Sequence, residues 1–330
     1  MLNKTWAITL AMACALLFTA AAEAASKVDK LKGSVSSPGQ YRGIIEEIVE
    51  EGDAAVPDLV SLLDEPAPAD EIERKKQWMI KVAAMDVVAE LKARDALALL
   101  ANLLENSENE SAIFNSARTI GRIGGNQAYK ILEDALARAG NGELTLAALR
   151  KRAIAIAMGL CGDAKAIPLL AAELADPDNG LVLRVYAAGA LGMLGDGQGL
   201  DLATGALASD DPYIRAAAIR ALGAIGSPSS IPGLTAIVLD ESLMGDHAEA
   251  RLSLAQIEAA GLSGDARVEF LKTQLKAHPR ETLFLRWGAE KLKNENSAAS
   301  RKALEDLGAD TDPGLEILAS TARIKIKALK

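Results

Sequence analysis

Aromatic residues are scarce: four Phe, four Tyr and three Trp make up 3% of 330 positions, although 50% of the chain is hydrophobic. Strands favour rings and β-branched side chains, so the shortage argues against a β-sandwich and for helices in close contact through small aliphatic groups. The apolar half also argues against disorder. Positive charge is short too, with 36 Lys and Arg against 45 Asp and Glu for a net of −9. Neither nucleic acid nor an anionic membrane is therefore expected as the main partner. Two histidines and two cysteines leave little material for a metal centre or a disulfide framework. Apolar runs long enough to span a bilayer are missing outside the first two dozen residues.

Those first residues read as an address. Lys4, an apolar run from Trp6 to Ala22, and small residues at Ala22 and Ala24 form the pattern of a secretory signal over 1–24, cleaved before Ala25. The expected location is the periplasm or the cell exterior, with no stable membrane insertion after cleavage. An uncleaved anchor is the competing reading, and the shortness of the run speaks against it. Cleavage removes Cys14 and leaves Cys161 alone, so packing must supply the stability. Cys161, between Leu160 and Gly162, reads as a buried small hydrophobe.

What is present is a repeat. Ala-Leu-Gly-Met-Leu-Gly at 190–195 returns as Ala-Leu-Gly-Ala-Ile-Gly at 221–226, and the glycine pair recurs as Gly121/Gly124 and Gly159/Gly162. Apolar residues stand five and eight positions after each second glycine, and Lys151, Arg184 and Arg215 stand eight before the first. Such a period in the thirties, with a helix-turn-helix pattern inside it, marks a stacked array. Degenerate copies, with Ala89 and Lys92 in place of the glycines, bring the count to about seven repeats over 41–276. A flexible lead-in is expected at 25–40 and a C-terminal helical cap at 277–330. Asp176-Pro177, Asp211-Pro212 and Asp312-Pro313 are expected to cap helix starts, and the glycines to end helices. The acidic, proline-rich stretch 64–70 reads as a mobile surface loop.

The Asp-Pro…Arg…Ala-Leu-Gly-x-x-Gly…Ile-Pro-x-Leu pattern at 211–234 resembles the HEAT-like repeats of the phycobilisome-lyase type. The resemblance implies an all-α fold, an α-solenoid (α-α superhelix) of helical hairpins, with second helices on the concave side and first helices outside. Deoxyhypusine hydroxylases of this repeat type carry His-Glu pairs as metal ligands. Here His247 and His278 form no such pair, so that activity is not implied. Bilin lyases act on cytosolic proteins, which disagrees with a secretory signal, so only their fold carries over.

No cofactor, metal or catalytic set emerges from the residues. Asp176–Gly180 has the look of a calcium loop but places Ala187 where a bidentate glutamate is due. The basic clusters 74–76 and 150–152 and the acidic pairs near 46–51 read as solvated faces. Lys151, Arg184 and Arg215 read as a ladder onto acidic or carbonyl groups of neighbouring repeats. The functional expectation is a non-enzymatic scaffold that holds another protein or peptide on its concave surface. Its contact residues would be Lys130, Glu133, Asp134, Pro168, Asp201, Thr204, Pro232 and Thr235, on the second helices. Tight curvature would explain their small side chains equally well. The alternative is a lyase-like enzyme or enzyme subunit acting on a protein-bound group.

Overall fold

The computed structural model describes residues 27–33, 38–140 and 146–329, and among them all regular structure is helical. The expected signal at 1–24 lies outside the described residues. A short helix α1 (27–33) precedes seven hairpins: α2 (Pro38–Glu51) with α3 (Val56–Asp64), α4 (Glu71–Glu90) with α5 (Leu97–Asn106), α6 (Glu110–Ile123) with α7 (Gly125–Arg138), α8 (Leu146–Cys161) with α9 (Ile167–Ala175), α10 (Leu181–Met193) with α11 (Leu200–Ala206), α12 (Pro212–Ile225) with α13 (Ile231–Leu239), and α14 (His247–Ala260) with α15 (Gly264–Ala277). An eighth hairpin, α16 (Thr282–Glu295) with α17 (Ala298–Gly308), and a last helix α18 (Glu316–Lys327) complete the chain. The architecture is an all-α solenoid. No described helix is long and apolar enough to cross a membrane.

Helix starts follow the capping chemistry in part. Asp70 accepts from the amides of Ile72 and Glu73, Asn109 from Ala112, and Asp211 from Tyr213 ahead of Pro212. These bonds satisfy amides that have no partner within the helix. Asp176-Pro177 differs from expectation: Asp176 accepts from Asp178 N in a turn, and α10 begins only at Leu181 behind Gly180. Asp312 opens a 3-10 turn at Pro313–Leu315 rather than the helix itself.

The two glycines of each pair do different jobs. The second one ends the helix in the left-handed region, as at Gly195 with φ 82°. The first lies on the face turned to the next repeat: a Cβ at Gly192 would stand 2.6 Å from Ile225 N and 2.8 Å from Ala224 C. Only glycine admits so close a backbone approach. First helices α6, α8, α10, α12 and α14 therefore pack in an unbroken row, while the second helices from α7 to α15 hardly touch one another; only at the end of the array do α15 and α17 come together.

That asymmetry sets the curvature and corrects one expectation. The layer whose axes lie closest together must be the inner one, so the first helices line the concave surface and the second helices lie outside. The signal was in the sequence: alanine and glycine concentrate on the first helices, where they shorten the distance between axes.

The two ends meet. Helix α18 packs against α2, with Ile324 and Ala328 joining the amino-terminal core. Four polar links tie α18 to α2 and α4: Arg323 to Glu46 at 2.8 Å, Lys327 to Glu50 at 2.7 Å, Arg42 to Thr321 at 3.2 Å, and Lys325 to Glu90. The region expected to be a C-terminal cap is thus a closing element. The expected lead-in also differs, since 27–33 is helical with Val28 and Leu31 buried. The 64–70 connection is pinned: Lys32 and Gln77 reach the Glu65 carboxylate, Lys81 donates to the carbonyls of Leu63 and Glu65, and Arg74 to those of Pro68 and Ala69.

Candidate functional site

The residues expected to hold a partner lie on the outer layer. Lys130 is exposed on α7 and pairs within its own helix with Glu133 at 2.8 Å and Asp134 at 3.1 Å. Pro168 is exposed at the start of α9, Asp201 and Thr204 are exposed on α11, and Pro232 is exposed while Thr235 is half-buried on α13. They follow successive second helices but face away from the concave side, because that side belongs to the first helices.

Cross-helix side chains mark the inner surface instead. Asp86 of α4 accepts from Arg118 at 3.2 Å and from Arg122 at 2.6 Å, both on α6. Further along, Arg220 of α12 donates to Glu249 of α14 at 2.7 Å and to the Tyr186 hydroxyl of α10 at 3.3 Å. The recurring cations at the other end of the first helices behave as a ladder. Arg184 donates to Leu174 O at 2.9 Å, Arg215 to Ser209 O at 2.9 Å and to Asp246 at 2.5 Å, and Lys151 pairs with Glu173 at 3.3 Å. Arg184 and Arg215 satisfy carbonyls at the ends of the preceding second helices, which favours cations there, while Lys151 and Arg215 pair with carboxylates that come later in the chain. The 150–152 cluster is accordingly no solvated face: Lys151 is buried and Arg150 donates to the carbonyls of Leu104 and Ser107.

Where the ends of the solenoid meet, a cleft of about 560 Å³ opens between α2, α4 and α6 on one side and α16 and α18 on the other. At its base Glu90 is buried and is held by Arg122, Lys325 and Lys293, the last at 3.1 Å. Burial alone would raise its carboxyl, but Lys325, Arg122 and Lys293 outweigh it and hold the group down at about 2. Glu290, 2.6 Å from Lys325, is lowered as well: burial opposes, and Lys325 prevails. Burial pulls the Lys92 ammonium below its ordinary value, and Lys293 adds repulsion. Lys92 stands where other repeats have glycine, adopts φ 54°, and donates to Arg122 O at the end of α6.

Sequence reasoning missed this cluster. Glu90 is flanked by Ala89 and Leu91, and its partners lie 203 and 235 residues away, beyond the reach of any repeat pattern. The one available sign was charge among apolar residues: Glu90 inside an apolar helix end, and Lys325 alternating with Ile324 and Ile326. The remaining titratable candidates are engaged elsewhere. His247 Nε2 lies 2.8 Å from Asp240 O, and His278 contacts Glu281 and stacks on Phe284. Burial raises the Cys161 thiol. Among the described residues no group of three or more His, Cys, Asp or Glu side chains is disposed to hold a metal ion.

A family model described as HEAT repeats matches residues 65–151 and 182–255. Those two stretches carry HEAT repeats. Similar solved structures include human deoxyhypusine hydroxylase in complex with glycerol, at 16% identity over 85% of this chain and 97% of that one, with a TM-score of 0.39. An engineered protein shows 18% identity over 91% of this chain and 88% of that one, with a TM-score of 0.31. No curated protein matches the chain. The HEAT stretches run from α4 into the start of α8 and from α10 into α14, so they contain the cross-helix contacts of the inner surface.

Proposed function

We propose that this HEAT-repeat chain is an exported, non-enzymatic scaffold that holds another protein or peptide along its inner surface. The observation that carries the reading is the continuous row of first helices, whose solvent side presents Arg118, Tyr186, Arg220 and Glu249 across several repeats. A surface of that length has room for a standard protein interface, and Tyr and Arg are the side chains that most often anchor one. Glu90, held ionised by its three cations, is poorly suited to acid-base chemistry near neutral pH, which favours binding. The signal pattern at 1–24 supports export, and the motif at 211–234 supports repeats of the phycobilisome-lyase type, of which only the fold carries over.

Photo-crosslinkers placed at Tyr186 and Arg220 should trap one stoichiometric polypeptide in the exported fraction, and crosslinkers at Thr204 and Thr235 should not. Equal trapping from both layers, or from neither, would reject the inner-surface scaffold. Sequencing the exported chain should give Ala25 as its first residue; full-length protein retained in the cell would reject export. Turnover of a protein-bound group by the purified chain would favour the lyase-like reading instead.

A further inference from the structure

Cations outnumber carboxylates along the cleft at the closure, although Glu290 behind it pairs with Lys325 at 2.6 Å. Arg42, Arg122, Arg286 and Lys325 line it against Asp86 and Glu90, in a chain whose net charge is −9. Both carboxylates are already committed, Glu90 to Arg122, Lys293 and Lys325, and Asp86 to Arg118 and Arg122. Arg286 is exposed and has no ion pair or hydrogen bond among the described residues, with Arg118 close enough to repel it. An anion entering the cleft would therefore meet Arg286 without displacing an existing pair.

The rest of the lining is apolar apart from Thr282 and Thr321. Away from the first turn of α16, the backbone amides and carbonyls of α2, α4, α16 and α18 that face the cleft bond within their helices, and the Trp78 indole N–H is taken by Ser111 at 2.8 Å. A peptide in this cleft would leave amides without partners, at a cost of roughly 1–3 kcal/mol each. An alkyl chain has no such groups, and the volume lies within the roughly 300–1,000 Å³ range of small-molecule sites. We propose that the cleft binds a monocarboxylate of the fatty-acid class, its head at Arg286 and its chain along Ile45, Met79, Val82, Leu285 and Ile324. This site is separate from the polypeptide surface at Tyr186 and Arg220, and the two can fail independently.

Titration calorimetry of the purified protein with decanoate tests it. The expected result is saturable 1:1 binding, at least tenfold weaker with 1-decanol and absent with decyltrimethylammonium. Arg286→Glu should weaken decanoate at least tenfold, and Arg286→Gln should weaken it less while keeping the native circular dichroism. Met79→Asp, at a 57% exposed position, should weaken it several-fold. The proposal is overturned if decanoate does not saturate, if decanol binds equally, if both Arg286 variants bind decanoate as the parent does, or if an apolar decapeptide with a free C-terminus binds more tightly.

Discussion

Lys293 Nζ lies 3.1 Å from the Glu90 carboxylate, joining buried side chains 203 residues apart. A solenoid has no intrinsic reason to bring such distant positions together, since each repeat touches only its neighbours. Here the inner layer curves until α16 and α18 reach α4, and one carboxylate is surrounded by three cations from three helices. The closure is thus specified by charge as well as by the apolar faces of α2 and α18.

Removing the central charge should open this closure. Glu90→Gln leaves Arg122, Lys293 and Lys325 with only Asp86 and Glu290 to offset them, and breaking a buried pair in this way costs up to about 3–5 kcal/mol. Urea unfolding at pH 7 should show a loss of that size. Amide exchange should rise first in α16 and α18, while the row from α8 to α12 stays protected. A variant with the parent's midpoint would mean that the apolar contacts of α18 hold the ends alone.

The same carboxylate fixes a pH dependence. Its folded value is about 2 against 4.5 for an isolated glutamate, so the stabilisation is present above pH 4.5 and is lost as the pH falls toward 2. The shift corresponds to something on the order of 3 kcal/mol. The stability gap between the parent and Glu90→Gln should therefore narrow steadily between pH 4.5 and 2. A gap that stays constant across that window would show that Glu90 is not held ionised by its neighbours.

Two glycines three residues apart should respond differently to alanine. At Gly192 the new methyl would meet the backbone of Ala224 and Ile225, so overpacking of about 1–3 kcal/mol is expected, with a wider solenoid in X-ray scattering. At Gly195 nothing lies within 4 Å of the added Cβ, and only the left-handed backbone resists, at about 1–2 kcal/mol and with no change in shape. A change in scattering with Gly195→Ala but not with Gly192→Ala would contradict the assignment of the inner layer.

The repeat was legible because local chemistry writes it. Asp211-Pro212, Gly195 and Gly226, and the apolar spacing of Leu234 and Ile237 each specify a helix start, a stop or a buried face within a few residues. Which layer is concave was also written there, in the small residues on the first helices, but it was assigned the other way round. Gly159, Gly192 and Gly223 bring the axes of neighbouring first helices together rather than ending a helix. The closure was not legible at all. Lys325, Arg323 and Lys327 look like any basic last turn until the accumulated curvature of seven hairpins places them beside Glu90, Glu46 and Glu50. That sum over many small rotations has no local signature.

The ladder of cations offers a third contrast. Arg215 is mostly buried, donating to Asp246 through Nε and to Ser209 O through Nη1, so Arg215→Ala strands a buried carboxylate and should cost about 3 kcal/mol. Arg215→Lys should recover only part of this, because an ammonium cannot supply both donors in that planar arrangement. Arg220→Ala removes an equally short pair with Glu249, but at the surface, and should cost less than about 1 kcal/mol. Thermal unfolding of the three variants gives the order directly, and similar losses at Arg215 and Arg220 would contradict it.

Cys161 is the last test of whether the lone thiol has chemistry of its own. Burial is the main influence on it, Asp163 adds to the upward shift, and the sulfur lies 3.9 Å from Gly125 O rather than beside a histidine or a free ammonium. A thiol raised above its ordinary value is almost wholly protonated at pH 8, and reaction with disulfide reagents requires the thiolate. The folded protein should therefore react with an aromatic disulfide reagent at least tenfold more slowly than the same protein in urea. Its rate should still be climbing with pH at pH 9. Reaction as fast as that of the unfolded chain, with a plateau near neutral pH, would identify an activated thiol and reopen an enzymatic reading of the end of α8.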